Sequence, residues 1–305
     1  MSTAYAQKLS DSIASLPIQL SHTVGGDSSQ HGENGVIDAV FGAIGVRSRT
    51  CVEFGAFDLK AYSNVYPLWT TGWRALLIEG DPERHAKLRA DYRAHPQHAD
   101  MDVEIEHRFV AESGSDSLDR ILDEHGFPTD VDLVSIDVDG LELQVWRGLQ
   151  RFRPRLVIVE YNPTIPSHIE LVGGDNVGSS ASALARLGRE RGYSLVACIG
   201  WNAFFVAREH ANLFASADDL DALFDPSYVR YAMQSYGGEV FYSSPLHLQW
   251  VPLYARDTEA IESCSTELGL VRRTLPGVIE ATGRHWLKPV KRRYLEARAR
   301  RRLSR

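Results

Sequence analysis

Long apolar runs are missing from this chain of 305 residues. None approaches the roughly 20 residues that a membrane-spanning helix requires, so no transmembrane segment is expected. The opening MSTAYAQKLSDSIASLPIQL has no basic stretch followed by an apolar one, and no secretion signal is read there. Cysteine is scarce: Cys51, Cys198 and Cys264 stand far apart with no CxxC pair. That pattern argues against a disulfide framework or a zinc site and suits a reducing, cytoplasmic setting. Internal repeats and low-complexity tracts are absent as well. So is the GxGxxG fingerprint. A dinucleotide pyrophosphate needs several N–H groups at a helix start, so NAD and FAD are disfavoured.

What is present is a globular composition, 44% hydrophobic and 24% charged, well able to bury a core. The formal charge of −7 hides an asymmetry. From Arg284 to Arg305 ten Arg or Lys face one acid, Glu296, and taking this +9 from −7 leaves −16 on the rest. An acidic body is not that of a nucleic-acid binder. The basic tail fits peripheral contact with anionic lipid, a glycan phosphate or the body itself, beside the plain reading of a solvated terminal helix. Nothing in the sequence sets the oligomeric state.

From about residue 50 to 160, short apolar runs alternate with helix-like segments, the mark of βαβ units and a mostly parallel sheet. The expected strands are 50–54, 75–79, 103–110, 131–137 and 155–160. Two more, 193–199 and 203–207, are close enough for a hairpin, so the sheet is expected to end antiparallel. Asp81 and Pro82 predict a capped helix start. A stripe of Leu118, Ile121, Leu122 and His125 predicts another helix, opened by Ser115. A third runs through SSASALARLGRERG, and GVIDAVFGAIG reads as a short amphipathic helix ahead of the first strand. Trp69, Trp73 and Trp146 are expected in the core. The organisation read is a helical cap over 1–46, a sheet domain over 47–210 and an extension with the basic tail over 211–305.

Open parallel sheets bind ligands beyond the carboxyl ends of their strands. After the first strand come Glu53 and Gly55, a turn that lets a ligand approach the backbone while the acid accepts from an amine or N–H. After the second comes Glu79, placed for the two hydroxyls of a ribose, or for a helix cap. After the fourth comes IDVDG, whose Asp137 and Asp139 read as a metal clamp, a catalytic pair or a turn. After the fifth come Glu160 and Asn162, and with Asp137 they make an oxygen set suited to a hard cation such as Mg²⁺. His168 is a second base candidate, because histidine titrates near neutrality. Tyr161 and Trp201, at strand ends, are candidate pocket walls.

The stretches CVEFGAFDLKAYSN, GWRALLIEGDPERHAKL, VDLVSIDVDGLELQVWRGL, RPRLVIVEYNPTIPS and GSSASALARLGRERGYSLVACIGWNAFFV together resemble the FkbM-type S-adenosylmethionine-dependent methyltransferases, over roughly residues 28 to 208. The resemblance implies a doubly wound, Rossmann-like class I methyltransferase sheet with its last strand antiparallel, and S-adenosylmethionine as cofactor. It implies that Glu53, Gly55 and Ala56 line the methionine end and that Glu79 holds the ribose. Val110, Ala111 and Glu112 would flank the adenine, and Asp137 would face the sulfonium. Asp139, Tyr161, Asn162 and Trp201 are placed with the acceptor, a sugar, glycan or secondary-metabolite hydroxyl. The transfer is in-line, so the protein positions two reactants and removes a proton, through Asp137 first and His168 second. Two other readings stand beside it. Asp137-x-Asp139 alone also fits a metal-dependent glycosyltransferase, and the fold alone fits a non-catalytic interaction module.

Overall fold

The computed structural model of the chain describes residues 17–26, 28–56, 58–174, 177–229, 232–234, 236, 240–242 and 271–273. The basic tail, Cys264 and most of the aromatic C-terminal third lie outside the described residues. The chain divides into two compact units, Met1–Ser227 and Tyr228–Arg305.

In the first unit, α1 (Glu33–Ile44) leads into β1 (Thr50–Phe54), α2 (Tyr66–Thr70) and β2 (Arg74–Glu79). There follow α3 (Pro82–Ala94), β3 (Val103–His107), α4 (Leu118–Glu124) and β4 (Leu133–Ile136). Next come α5 (Glu142–Gly148), β5 (Leu156–Glu160), α6 (Ala181–Glu190) and the hairpin of β6 (Tyr193–Ile199) and β7 (Asn202–Ala207). The short α7 (Leu220–Leu223) comes last, and Ile18 pairs with Phe214, which ties the N-terminal segment to residues beyond 210. The second unit contains a small antiparallel sheet of β8 (Ala232–Gln234), β9 (Val240–Tyr242) and β10 (Val271–Arg273).

The main sheet has seven strands in the order β3-β2-β1-β4-β5-β7-β6, parallel from β3 to β5, with β7 antiparallel to both neighbours. This is the expected class I methyltransferase topology. Its strands are near-continuous apolar runs because helices cover both faces. On β7, Phe204 joins the core that α1 and Trp69 share, while Phe205 points the other way and meets Trp146, ring centroids 4.7 Å apart. Trp69, Trp73 and Trp146 are all buried, as their surroundings in the sequence predict.

Local chemistry explains the helix starts. Asp81 caps α3, accepting from the N–H groups of Glu83 and Arg84, and Pro82 occupies the first turn where no N–H is needed. Ser180 caps α6 in the same way. α4 opens at Ser117, two residues later than expected, and the Ser117 hydroxyl donates to the Gly114 carbonyl. Strand β3 stops at His107 instead of Val110. Its last residue pairs with Glu79, the end of β2, and beyond that point no neighbouring strand offers a ladder.

At the amino-terminal end of the sheet, Asp132 ties three connections together. Its carboxylate, fully buried, accepts from the N–H groups of Arg47, Ser48 and Arg49 and from the Arg155 guanidinium at 3.0 Å. The segments ahead of β1, β4 and β5 are thereby held to one group.

Candidate active site at the switch point

The strand order reverses between β1 and β4, both parallel, with β2 and β5 on their outer sides. The connections from their carboxyl ends diverge there and leave a crevice, the usual ligand position in such sheets. The loops that leave β1 and β4 touch. Gly55 has φ +63°, and a Cβ at that position would lie 2.2 Å from the Asp137 carbonyl oxygen. Only glycine admits both the left-handed backbone and that approach.

Glu53 is buried, and both its oxygens serve the loop behind it. Oε2 accepts from the Ser63 hydroxyl at 2.7 Å and Oε1 from the Asn64 N–H at 2.6 Å. Asn64 donates in turn to Ser135 on β4, and Ser28 donates to Asn34 and to the Ser63 carbonyl. Glu53 therefore shapes the first loop, a role visible in the sequence only as the Ser63-Asn64 dipeptide. Burial pushes its pKa up; the bonds from Ser63 and Asn64 pull it down and the Asp137 charge lifts it again, for a result of about 7 against an ordinary 4.5. Because the folded value is raised, its stabilising contribution is complete below pH 4.5 and is lost as pH rises through 7. That loss amounts to roughly 3 kcal/mol. Glu53→Gln is expected to flatten the decline of the urea midpoint over this window; an unchanged pH slope would refute the assignment.

Glu79 is buried at the end of β2. Its Oε1 accepts from the Asp81 N–H at 2.7 Å, at the start of α3, while Oε2 has no partner and no contact with solvent. A buried carboxylate oxygen left over in this way wants a donor. Beside it, the Phe109 ring lies over Gly80, and the residue is 74% exposed. An exposed aromatic face next to an acceptor is a platform for a flat heterocycle. In the sequence Phe109 reads as strand interior, because β3 is there carried to residue 110.

The acids after β4 and β5 do meet. One carboxylate oxygen from each of Asp137, Glu142 and Glu160 lies within 4.8 Å of the others. Asp137 is exposed to solvent just after β4. Desolvation first, then the charges of Glu142 and Asp139, raise its pKa. Desolvation followed by the Asp137 charge raises that of Glu160, and the two carboxyls share a hydrogen bond. Glu142 is also raised, mainly by burial. Among the described residues no Lys, Arg or His forms an ion pair with any of the three.

Asp139 stands apart from this group. Its φ of +56°, followed by Gly140 at +127°, makes the turn between β4 and α5. Asn162 is engaged elsewhere: its Oδ1 accepts from the Thr164 N–H and hydroxyl, and its Nδ2 donates to the Val177 carbonyl. Glu142, in place of Asn162, completes the group of three acids. Its signal is a carboxylate five residues after Asp137, at the first position of a helix.

The remaining candidates are scattered. Ala56 is buried behind Gly55, and its N–H donates to the Ile78 carbonyl. Val110, Ala111 and Glu112 follow Phe109, with Glu112 turned to Arg147 at 2.7 Å. His168 is exposed on the loop after β5 and is not brought to the acid group. Tyr161 is buried against Phe224, and Trp201 meets His31 edge-on with ring centroids 5.8 Å apart.

A seven-stranded sheet of this order, with an acid closing β2 and another just after β4, defines a class I methyltransferase fold. Residues 114–195 match the family model of the methyltransferase FkbM domain. No curated protein matches the chain significantly. Solved structures similar to it include the glycopeptide N-methyltransferase MtfA, at 10% identity over 67% of this chain and 97% of that one, TM-score 0.38. Another is the precorrin-6y C5,15-methyltransferase from Geobacter metallireducens GS-15, at 12% identity over 63% and 95%, TM-score 0.35. The mitomycin 7-O-methyltransferase MmcR is similar at 18% identity over 56% and 55%, TM-score 0.33.

Proposed function

We propose that the protein transfers the methyl group of S-adenosylmethionine to a hydroxyl oxygen of a small-molecule or glycan acceptor. The observation that carries this reading is the pair of acids at the carboxyl ends of the strands either side of β1, Glu79 with an unpartnered buried oxygen closing β2 and Asp137 just after β4. The residues present fit the cofactor. Glu79 Oε2 would accept from a ribose hydroxyl, the Phe109 ring would stack on the adenine, and the turn at Gly55 and Ala56 would border the methionine end. When bound, the cofactor supplies a methyl group already activated on a sulfonium.

The chain's own work is then positioning and proton removal. Asp137, solvent-accessible and raised toward neutrality, accepts the proton of the acceptor hydroxyl as the oxygen attacks. Glu160, bonded to it, keeps the carboxylate oriented. The loop after β5 borders this centre, tied to α5 by Gln144 donating to the Gly173 carbonyl and to the end of β5 by the Asn162 N–H donating to Ser179. It exposes Ile169, Leu171, Val172 and Val177, and Leu141 is exposed just beyond the β4 turn. Such a rim favours an acceptor with apolar surface, a secondary-metabolite hydroxyl ahead of a bare sugar.

Thermal denaturation with S-adenosylmethionine, S-adenosylhomocysteine and a panel of UDP- and GDP-sugars tests the reading. Only the adenosyl ligands are expected to stabilise, by about 2.7 kcal/mol at a hundred times their Kd. Stabilisation by a nucleotide sugar alone would replace it with the glycosyltransferase reading. No helix among the described residues is long and apolar enough to cross a membrane.

A further inference from the structure

We infer that Asp137, Glu142 and Glu160 form a binding site for one hard divalent cation, with Glu142, the first residue of α5, as the third protein ligand. The acid group alone would not carry this. The second observation is the condition of Glu142. It is 1% exposed, and only one of its oxygens is used: Oε1 accepts from the N–H groups of Val138 at 3.1 Å and Gly140 at 2.6 Å. Oε2 is buried without a hydrogen-bond partner. Those two N–H bonds belong to the turn that also carries Asp137, so the turn holds Glu142 rigidly and leaves one anionic oxygen for a ligand. A desolvated carboxylate oxygen without a donor is costly to keep, and the Asp137–Glu160 pair beside it carries a negative charge even with a proton shared between its carboxyls. A cation removes both costs at once.

The dimensions agree. Oxygens on opposite sides of an ion lie about 4.2 Å apart at the ~2.1 Å distances of Mg²⁺ and about 4.8 Å apart at ~2.4 Å, within the Ca²⁺ range. Three oxygens cannot all be opposite one another, so a group lying within 4.8 Å closes onto one ion through small shifts of the side chains. An all-oxygen, all-carboxylate set selects hard cations over zinc or copper. Three protein ligands leave coordination positions for water and for an acceptor oxygen, and the solvent-accessible Asp137 side is where these would enter. At that position the ion would lower the acceptor's pKa and take over part of the proton-removing role. That catalytic role rests on the proposed methyl transfer; the binding of the ion does not.

Mn²⁺ is a suitable probe, followed on the full chain by electron paramagnetic resonance and by calorimetry, with Mg²⁺ and Ca²⁺ as competitors. Wild type is expected to take up one Mn²⁺. Glu142→Gln keeps an acceptor for the Val138 and Gly140 N–H groups and should weaken Mn²⁺ binding at least tenfold. Glu160→Gln should do the same, and it keeps the test decisive if the first variant does not fold. Asn162→Ala should leave the affinity within about twofold. Absence of Mn²⁺ binding, or binding that neither glutamine variant weakens, overturns the site. The same samples titrated with S-adenosylhomocysteine separate the two ideas. Adenosyl binding without Mn²⁺ removes the cation and leaves the methyltransferase reading, whereas Mn²⁺ at these acids without adenosyl binding does the reverse.

Discussion

Asp137→Asn is expected to lower methyl transfer by about 10² to 10⁴-fold, the usual worth of a positioned acid–base group, while adenosyl binding stays within a factor of three. The amide keeps the shape of the carboxylate but accepts no proton at any working pH. It also removes a negative charge from a crowded acid group that no basic side chain among the described residues offsets. The variant should therefore melt no lower than the wild type, and loss of activity would not reflect loss of fold. The measurement is release of S-adenosylhomocysteine with any acceptor that the wild type methylates, beside calorimetric binding of the same product. Activity within threefold of wild type would remove Asp137 from the reaction. The proton would then have to leave through another group, and His168, exposed on the loop after β5, would be the next to test.

The second large effect lies at the opposite end of the sheet. Asp132→Ala should destabilise the protein by about 3 to 5 kcal/mol, the cost of breaking a buried charged pair and stranding its partners. Three backbone N–H groups, from Arg47 to Arg49, lose their acceptor, and the Arg155 guanidinium, whose side chain is only 14% exposed, loses its counter-charge. Asp132→Asn retains one acceptor oxygen and is expected to fall between the two. Urea unfolding gives the stability. Adenosyl binding well below the melting temperature should be unchanged, because the site lies at the carboxyl ends of the strands. A change under 1 kcal/mol for the alanine variant would mean that water replaces the carboxylate at no cost.

Much of the scaffold is legible in the residues. The βαβ alternation, the hairpin that turns the sheet antiparallel and the cap at Asp81 follow from apolar periodicity and from side chains that bond their own backbone. These are local rules, and they hold for TCVEF, RALLIE and LVIVE as written. Where the local pattern is interrupted only by tertiary pairing, the expectation shifts. β3 ends at His107 because β2 ends opposite it, and Phe109 becomes an exposed ring instead of a strand residue.

The site divides in the same way. Sequence alone determined that acids close β2, β4 and β5, because strand length is a property of a few neighbouring residues, and it offered Asp139-Gly140 as a turn among other readings. It could not say how each acid is used. Glu53 and Glu79 look alike on paper, yet the fold spends both oxygens of Glu53 on Ser63 and Asn64 and leaves one oxygen of Glu79 open. Asn162 and Glu142 exchange roles for a similar reason: the loop after β5 folds back onto the Asn162 amide, and the turn after Asp137 carries Glu142 into the acid group. Hydrogen-bond partners far apart in the chain decide which carboxylate oxygens remain free to meet a ligand, and only the tertiary structure supplies those partners.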